Sequence, residues 1–405
     1  MTDWKEYKVS DLLDSKSLAI GDGYRAKNSE LSNTGLPFAR AGNINEGFDF
    51  ANADCFPVED ISKVGEKVSR VGDIVFTSKG TVGRFAYVDE SALRFVYSPQ
   101  LCYWRSLNKK WIHPRFLFYW MQGKEFYSQV DAVKGQTDMA DYVSLSDQRR
   151  MKITLPPLPE QQAIAEVLSS LDDKIDLLHR QNETLEALAE TLFRQWFVEE
   201  AAESWESGIV TDLVDLNPRR SLSKETVAPY LEMSNLSNEL YHPHDWYDRI
   251  FTSGTKFING DTLLARITPC LENGKTAYVD FLKAGEVGWG STEFIVMRTR
   301  EPLHPFFSYI LARHSDFRNF AIGCMVGSSG RQRADVDNLA TYEMKLPPPD
   351  VIKRFNKHIE PSLQKMKLNN DQIRTLTRLR DALLPKLMSG EMRVDTAEAE
   401  TAIAS

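Results

Sequence analysis

The sequence contains an internal repeat, and this feature restricts the fold more than any other. The proline-rich segment Leu155-Pro156-Pro157-Leu158-Pro159-Glu160 returns 191 residues later as Leu346-Pro347-Pro348-Pro349-Asp350. Two further pairs of segments match upstream: 72–76 (GDIVF) with 260–264 (GDTLL), and 83–88 (GRFAYV) with 274–279 (GKTAYV). A repeat of this length indicates two copies of one structural unit.

Each copy is predicted to contain an α+β domain. The copies begin with the tryptophan-led segments 4–9 and 205–210. Strands are predicted where β-branched and aromatic residues lie between Gly, Asp and Ser, at 73–77, 84–88 and 293–298. Helices are predicted in the aromatic-rich segments 111–127 and 305–320. Because proline cannot continue a helix or a central strand, each domain is predicted to end at its proline cluster.

A long amphipathic helix is predicted after each proline cluster. Apolar residues recur there at steps of three and four, the heptad spacing of a helix–helix seam. The first series is Leu168, Leu171, Ile175, Leu178, Leu185, Ala189, Leu192 and Trp196; the second is Ile352, Phe355, Ile359, Met366, Ile373, Leu376, Leu383 and Leu387. We expect the two helices to pair as an antiparallel coiled coil that separates the domains, with a pseudo-twofold relation between the copies.

Two residues interrupt these series. Asn182 occupies an a-type position, where a buried Asn fixes register at some cost in stability. Replacing Asn182 with leucine is therefore expected to stabilise the helices and to loosen their register. Pro361 lies early in the second series, so the second helix is predicted to be kinked there or to begin near this residue.

Together these features predict five segments along the chain. They are a first α+β domain at 1–155, a first spacer helix at 156–204, a second α+β domain at 205–348, a second spacer helix at 349–395 and a flexible tail at 396–405.

The charge of the chain is concentrated in one segment. A formal net charge of -8 is unusual for a protein that binds nucleic acid. Residues 156–204, however, contain 3 Lys and Arg against 11 Asp and Glu, so this segment alone accounts for the excess. The remainder is near neutral and can present basic faces. The acidic stripe of the first helix is assigned to partner docking: Asp172, Asp173, Asp176, Glu183, Glu186 and Glu190.

Several classes of protein are not expected. The first residues do not resemble a signal peptide and no apolar run reaches the roughly 20 residues of a membrane span, so a cytoplasmic protein is expected. The four cysteines are far apart, which argues against zinc and disulfides. An Asn/Asp-Pro-Pro-aromatic methyltransferase motif is absent, and Pro269 occupies the glycine position of a phosphate loop that would end at Gly274-Lys275-Thr276. No catalytic centre or metal site is predicted.

Several segments resemble the specificity subunits of type I restriction-modification systems. Residues 155–178 (LPPLPEQQAIAEVLSSLDDKIDLL) are similar to the central conserved region of that family, and 383–391 (LLPKLMSGE) to its distal one. Residues 72–84 resemble the strand-turn-strand of a target-recognition domain, and Gly135-Gln136-Thr137 its late loop. The second copy departs from this pattern in a longer turn at 266–275 and a late loop at 327–331.

The resemblance implies a non-catalytic, sequence-specific DNA-binding subunit. Each target-recognition domain would read one half of a bipartite, asymmetric site in double-stranded DNA. The helices would fix the gap and dock two modification (methyltransferase) subunits, which restriction (translocase/endonuclease) subunits then join. S-adenosylmethionine, ATP and magnesium are expected in those partners and no cofactor in this chain. The alternative is a stand-alone bipartite DNA-binding regulator or scaffold, which would find its site without modification subunits.

Candidate DNA-binding residues lie in the loops of both copies. Base edges are read chiefly by Arg or Lys at guanine and by Asn or Gln at adenine. The candidates are Arg40, Asn43, Lys79, Arg84, Gln136 and Thr137 in the first copy, and Asn235, Arg266, Lys275, Ser328, Ser329 and Arg331 in the second. Arg149, Arg150 and Arg333 are predicted to contact phosphate. For each residue the alternative is a solvated group on an ordinary turn.

Overall fold

The computed structural model describes residues 3–44, 47–80, 82–133, 142–328 and 330–394. The chain forms two compact units: Met1–Ile175 with Thr375–Ser405, and Asp176–Arg374. We call these the first and the second unit. The domain limits predicted from the sequence stay a prediction. Within the described ranges, no helix combines the length and the apolar character needed to cross a membrane.

The first unit combines helices with three small sheets. Its strands are β1 (Lys5–Lys8), β2 (Leu18–Asp22), β3 (Leu36–Ala39), β4 (Cys55–Phe56), β5 (Asp73–Thr77), β6 (Phe85–Tyr87), β7 (Val96–Tyr97), β8 (Leu101–Ser106) and β9 (Lys152–Leu155). Its short helices are α1 (Val9–Asp14), α2 (Pro114–Met121), α3 (Lys124–Val133) and α4 (Leu145–Arg150). The sheet orders are β2-β8-β5-β6, β4-β3-β7 and β1-β9, and among these strands the pair β3–β7 is parallel and the other pairs are antiparallel.

The long helix α5 (Leu158–Phe193) follows β9 and ends in a π-helical turn at Arg194–Glu199. The strands that come after it are β10 (Ser207–Ile209), β11 (Val214–Leu216), β12 (Val227–Leu231), β13 (Tyr247–Ile250), β14 (Thr255–Phe257), β15 (Asp261–Ala265), β16 (Thr276–Tyr278), β17 (Gly288–Gly290), β18 (Phe294–Thr299), β19 (Met325–Val326), β20 (Arg333–Ala334) and β21 (Glu343–Lys345). The helices are α6 (Val210–Leu213), α7 (Phe307–Arg313), α8 (Ser315–Gly323), α9 (Val336–Leu339) and α10 (Pro349–Met388).

The sheets of the second unit repeat those of the first. The order β11-β18-β15-β16 corresponds to β2-β8-β5-β6, and β10-β21 corresponds to β1-β9. In the sheet β13-β12-β17-β14, the pair β12–β17 is parallel, as β3–β7 is in the first unit. Even single pairs recur, because Asp73 lies opposite Arg105 in one unit and Asp261 opposite Arg298 in the other. The repeat in the sequence is therefore a repeat in the structure, and the predicted α+β class is confirmed.

Most of the predicted elements are present. The strand predicted at 73–77 is β5, and those predicted at 84–88 and 293–298 match β6 and β18 within one residue at each end. Each aromatic-rich segment forms two helices instead of one continuous helix. The break lies at Gln122 and Gly123 in the first unit, and at His314, whose backbone is extended, in the second.

The two long helices pack against each other in antiparallel orientation within each unit. In the second unit the Asn182 side chain bonds to those of Asn369 and Asn370, and the Arg354 guanidinium lies over the Trp196 ring. In the first unit, Arg380 donates to Asp172 at 2.9 Å. Every member of the two predicted apolar series is buried or half-buried. The pairing predicted from the heptad spacing is therefore confirmed.

Pro361 was predicted either to kink the second helix or to mark its beginning, and the predicted beginning is wrong. The helix α10 begins at Pro349, twelve residues earlier, and continues through Pro361. A proline inside a helix costs about 3 kcal/mol, but the turns on either side bury Phe355, Ile359 and Met366 almost completely. Because burying one large apolar side chain stabilises by about 1.5–3 kcal/mol, these residues together outweigh the missing backbone hydrogen bond.

Candidate nucleic-acid interface

In the first unit, three loops meet at Gln100, the residue before β8. The backbone N–H of Ser78 donates to the Gln100 carbonyl at 3.0 Å, and the N–H of Ala41 donates to the Gln100 side-chain Oε1 at 3.2 Å. The Ser78 carbonyl accepts the N–H of Val143, and Lys79 forms a β-bridge with Tyr142. The 40–43 turn, the 78–84 loop and the chain at 142–143 are therefore held together.

Three of the predicted residues in this unit have exposed side chains: Arg40, Lys79 and Arg84. Arg40 forms an ion pair with Asp54 at 2.6 Å. Asn43 has a structural role, because its Oδ1 accepts the N–H of Arg40 and its Nδ2 donates to the Asp49 carbonyl, both at 2.8 Å. The structure thus brings Arg40 and Lys79 to one cluster of loops. The predicted residues Gln136 and Thr137 lie outside the described part of the chain.

The second unit repeats this framework around Glu293, the residue before β18. The N–H of Arg266 donates to the Glu293 carbonyl at 2.9 Å, and the Arg266 carbonyl accepts the N–H of Ala334 at 2.8 Å. Ile267 forms a β-bridge with Arg333. The backbone contacts of Ser78, Lys79, Gln100, Tyr142 and Val143 therefore recur at Arg266, Ile267, Glu293, Arg333 and Ala334.

Three predicted residues of the second unit bond to the chain itself. The Oδ1 atom of Asn235 accepts the N–H of Glu232 at 2.8 Å, as Asn43 does with Arg40. The Arg266 guanidinium donates to the Ala334 carbonyl at 2.7 Å, and the Lys275 ammonium donates to the Met233 carbonyl at 3.1 Å. These hydrogen bonds connect the loops. The donors of Arg266 and Lys275 that form them point toward backbone carbonyls of the protein.

Two further predicted residues of the second unit, Ser328 and Arg331, lie at a surface turn. Ser328 and Arg331 are exposed, and the N–H of Arg331 donates to the Ser328 carbonyl at 3.0 Å. Ser329 lies outside the described residues. Arg266 and Lys275 belong to the adjacent hairpin, because the N–H of Ala265 donates to the Lys275 carbonyl. The loops of this unit therefore also converge, and the roles of all these residues in DNA binding stay predictions.

The three arginines predicted to contact phosphate have different surroundings. Arg149 lies 3.4 Å from Asp14 and Arg150 lies 4.0 Å from Asp147, and both arginines are exposed. Arg333 donates three hydrogen bonds of 2.8–2.9 Å to the Glu293 carboxylate. These hydrogen bonds and the charge of Glu293 raise the pKa of Arg333 above its ordinary value. Arg333 is therefore the most firmly oriented of the three.

The predicted acidic docking stripe is wrong at Glu186. This residue is only 5% exposed, and its carboxylate accepts hydrogen bonds from the Tyr309 hydroxyl and the Tyr241 backbone N–H. Asp172 also bonds internally, to Tyr119 and Arg380. A seven-residue pattern cannot separate these residues from their exposed neighbours, because the globular parts of the units also pack against the helices.

Gln100 and Glu293 were not among the candidates from the sequence. A further repeat identifies them, because 98–106 (SPQLCYWRS) aligns with 291–299 (STEFIVMRT) at an offset of 193 residues. The Arg of each segment is the partner of the buried Asp in the neighbouring strand. Gln100 and Glu293 occupy the same place in that alignment.

Among the described residues, no group of three or more His, Cys, Asp and Glu side chains is arranged to hold a metal ion. The four cysteines are free thiols, with Cys102 and Cys324 buried. Charged and amide side chains lie at the converging loops of both units, and such groups suit the binding of a polar, anionic polymer.

The chain is similar to known proteins along most of its length. Residues 1–187 match the family model of the type I restriction modification DNA specificity domain. The type I restriction enzyme HindI specificity subunit of Haemophilus influenzae is 20% identical over 97% of this chain and 100% of its own length. The MjaIX specificity subunit of Methanocaldococcus jannaschii is 24% identical over 80% of this chain and 78% of its own length.

A solved structure has the same fold. The S subunit of a type I restriction-modification system from M. genitalium matches with a TM-score of 0.57, covering 95% of this chain and 96% of its own, at 14% identity. The repeated sheets and paired long helices thus occur in a chain that is similar from end to end to specificity subunits. This chain is therefore similar along nearly its whole length to the specificity subunits of type I restriction-modification systems, and its residues 1–187 match their DNA specificity domain.

Proposed function

We propose that this chain reads a bipartite, asymmetric site in double-stranded DNA, with one unit at each half of the site. The observation that carries the proposal is the repeated framework around Gln100 and Glu293, which keeps the same backbone contacts while the side chains differ. Two copies of one frame with different side chains are what two different half-sites require. Because DNA specificity resides in base-edge contacts, these differences are sufficient to make the site asymmetric.

Affinity is proposed to come from the exposed cations. Arg40, Lys79, Arg84, Arg331, Arg149 and Arg150 are all exposed. Cations of this kind bind phosphate with little regard to sequence, and the binding weakens as salt rises. The acidic segment 156–204 lies almost entirely in the helix α5 and the turn after it. None of its acidic residues therefore belongs to the loops that converge at Gln100 and Glu293.

The long helices are proposed to fix the gap between the half-sites and to dock two modification subunits, which restriction subunits then join. Support comes from leucines of the two long helices that are not buried in the helix–helix seam and remain exposed to solvent. On α5, Leu177 and Leu188 are 41% and 47% exposed and lie 11 residues apart, about three helical turns. The residues 191 positions later, Leu368 and Leu379, are 61% and 46% exposed. A repeated exposed leucine suits a partner that binds in two copies.

Catalysis is proposed to reside in the partners. S-adenosylmethionine would serve the modification subunits, and ATP and magnesium the restriction subunits. This chain would contribute recognition alone and would act in the cytoplasm.

The test is to co-express the chain with its genomic neighbours in cells that lack DNA methylation, and to map modified adenines by single-molecule sequencing. We expect a bipartite motif with a fixed gap. Exchanging residues 1–155 for those of another family member should change one half of the motif and leave the other. A soluble complex that binds DNA but leaves no modified motif would instead support a stand-alone regulator or scaffold.

A further inference from the structure

We propose that Gln100 and the Glu293–Arg333 pair are the equivalent base-reading positions of the two units. This inference rests on the proposed function, and it names the side chains that make the two half-sites differ. Gln100 would read an adenine in one half-site, and Arg333, held by Glu293, a guanine in the other.

The argument begins from what differs between the units. A side chain can distinguish the two half-sites only if the residue type differs between equivalent positions of the two units. Asn43 and Asn235 are the same residue type and both accept a backbone N–H at 2.8 Å, so they build the turn in both units. All five framework pairs differ, but Val143 and Ala334 are buried apolar residues, and Lys79 has only the apolar Ile267 as its counterpart. The pairs that are polar in both units are Ser78 with Arg266, Gln100 with Glu293, and Tyr142 with Arg333. Arg266 directs its guanidinium to the Ala334 carbonyl, which leaves the other two pairs.

Gln100 combines exposure with a fixed orientation. Its side chain is exposed where three loops converge, and its Oε1 accepts the N–H of Ala41 at 3.2 Å. An amide oxygen has two lone pairs, so Oε1 can accept a second hydrogen bond while Nε2 donates. A glutamine that offers one donor and one acceptor side by side matches the N6 and N7 atoms of adenine.

Arg333 is oriented by a neighbour in the same way. Its side chain is 44% exposed, that of Glu293 is 22% exposed, and the hydrogen bonds between them run from Nε and Nη2. A guanidinium has five N–H groups. Nη1 donates one hydrogen bond to the Arg331 carbonyl at 3.4 Å, so one N–H of Nη1 and one of Nη2 remain for a base. A planar group held at one edge is suited to a two-bonded contact with O6 and N7 of guanine.

The test measures the affinity of the full chain, in complex with its modification subunits, for DNA duplexes in which each base pair of the site is replaced in turn. The informative variant is Gln100→Glu, because a carboxylate still accepts the N–H of Ala41 but donates nothing to a base. We expect it to lose about 10-fold discrimination at one base pair of one half-site. Arg333→Lys should lose similar discrimination at one base pair of the other half, because an ammonium lacks the planar fork.

Controls with the same chemical change are Gln162→Glu in α5 and Arg194→Lys in the π-helical turn after it, and both residues are exposed. These should leave every base preference unchanged. Equal weakening on all duplexes, or full discrimination retained in Gln100→Glu and Arg333→Lys, would overturn the proposal. A wild-type chain that shows no preference for a bipartite site would instead refute the proposed function. Failure of this inference can therefore be distinguished from failure of the proposed function.

Discussion

The side-chain oxygen of Asn182 in α5 accepts a hydrogen bond of 2.8 Å from the amide of Asn369 in α10. Asn182 in turn donates to Asn370, which donates to the Tyr241 hydroxyl. Asn182 and Asn369 are 4% and 0% exposed. The seam of the second unit therefore contains a buried polar network that also reaches its globular part.

This network reverses the expectation that Asn182→Leu stabilises the chain. Leucine would remove the 2.8 Å acceptor of the buried Asn369 amide and leave it only the Gln181 side-chain oxygen at 3.4 Å. A poorly satisfied buried polar group costs about 1–3 kcal/mol. We predict a loss of that size in the free energy of unfolding, measured with urea. The double variant with Asn369→Leu should be less destabilised than Asn182→Leu, and the exposed Glu183→Leu should change little. A more stable Asn182→Leu protein would contradict this assignment.

A second prediction concerns pH. Burial raises the pKa of Glu186 from about 4.5 to about 7, although the Tyr309 hydroxyl and Arg313 act in the opposite direction. A folded-state pKa above the unfolded one means that the folded protein binds the proton more tightly. The contribution to stability is therefore fully present below about pH 4.5 and is lost as the pH rises through 7.

Glu186→Gln should remove this pH dependence, because the amide does not titrate. Against this variant, the wild-type free energy of unfolding should fall by about 3 kcal/mol between pH 4.5 and 7. Urea unfolding across this range measures the difference, with Glu183→Gln as the exposed control. Parallel curves for the wild type and Glu186→Gln would show that Glu186 titrates normally.

The third prediction concerns the buried ion pair of the first unit. The Asp73 carboxylate accepts bonds of 2.6 and 2.7 Å from Arg105 and one of 2.6 Å from the Tyr97 hydroxyl. Asp73→Ala leaves the Arg105 charge buried without this partner, which costs about 3–5 kcal/mol. The double variant Asp73→Ala/Arg105→Met should recover much of the loss. Arg70→Ala, which breaks an exposed pair with Glu66, is the control, and thermal unfolding distinguishes the variants.

The fourth prediction tests docking on α5. Leu188→Asp should abolish co-purification with the modification subunits while the melting temperature stays within a few degrees of the wild type, because Leu188 is already exposed. Leu93→Asp, at a leucine that is 64% exposed elsewhere, is the matched control and should retain the partners. Retention of the modification subunits by Leu188→Asp would exclude this face as their contact.

The sequence by itself determined the elements and the seam. The repeat, the strand at 73–77 and the apolar series from Leu168 to Trp196 are properties of neighbouring residues, since periodicity follows from the geometry of one helix or strand. The family resemblance was carried by short local segments for the same reason. These features are present in the structure almost as predicted.

Tertiary structure alone decided which polar groups meet. Pro361 stays helical because Phe355, Ile359 and Met366 are buried by residues far away in the sequence, and Glu186 is buried by Tyr309. Arg266 bonds to the backbone of Ala334, whereas Gln100 lies where three loops converge. Such contacts join residues separated by tens to hundreds of positions, so no local pattern encodes them. A hydrogen bond depends on distance and direction, and only the folded chain sets these.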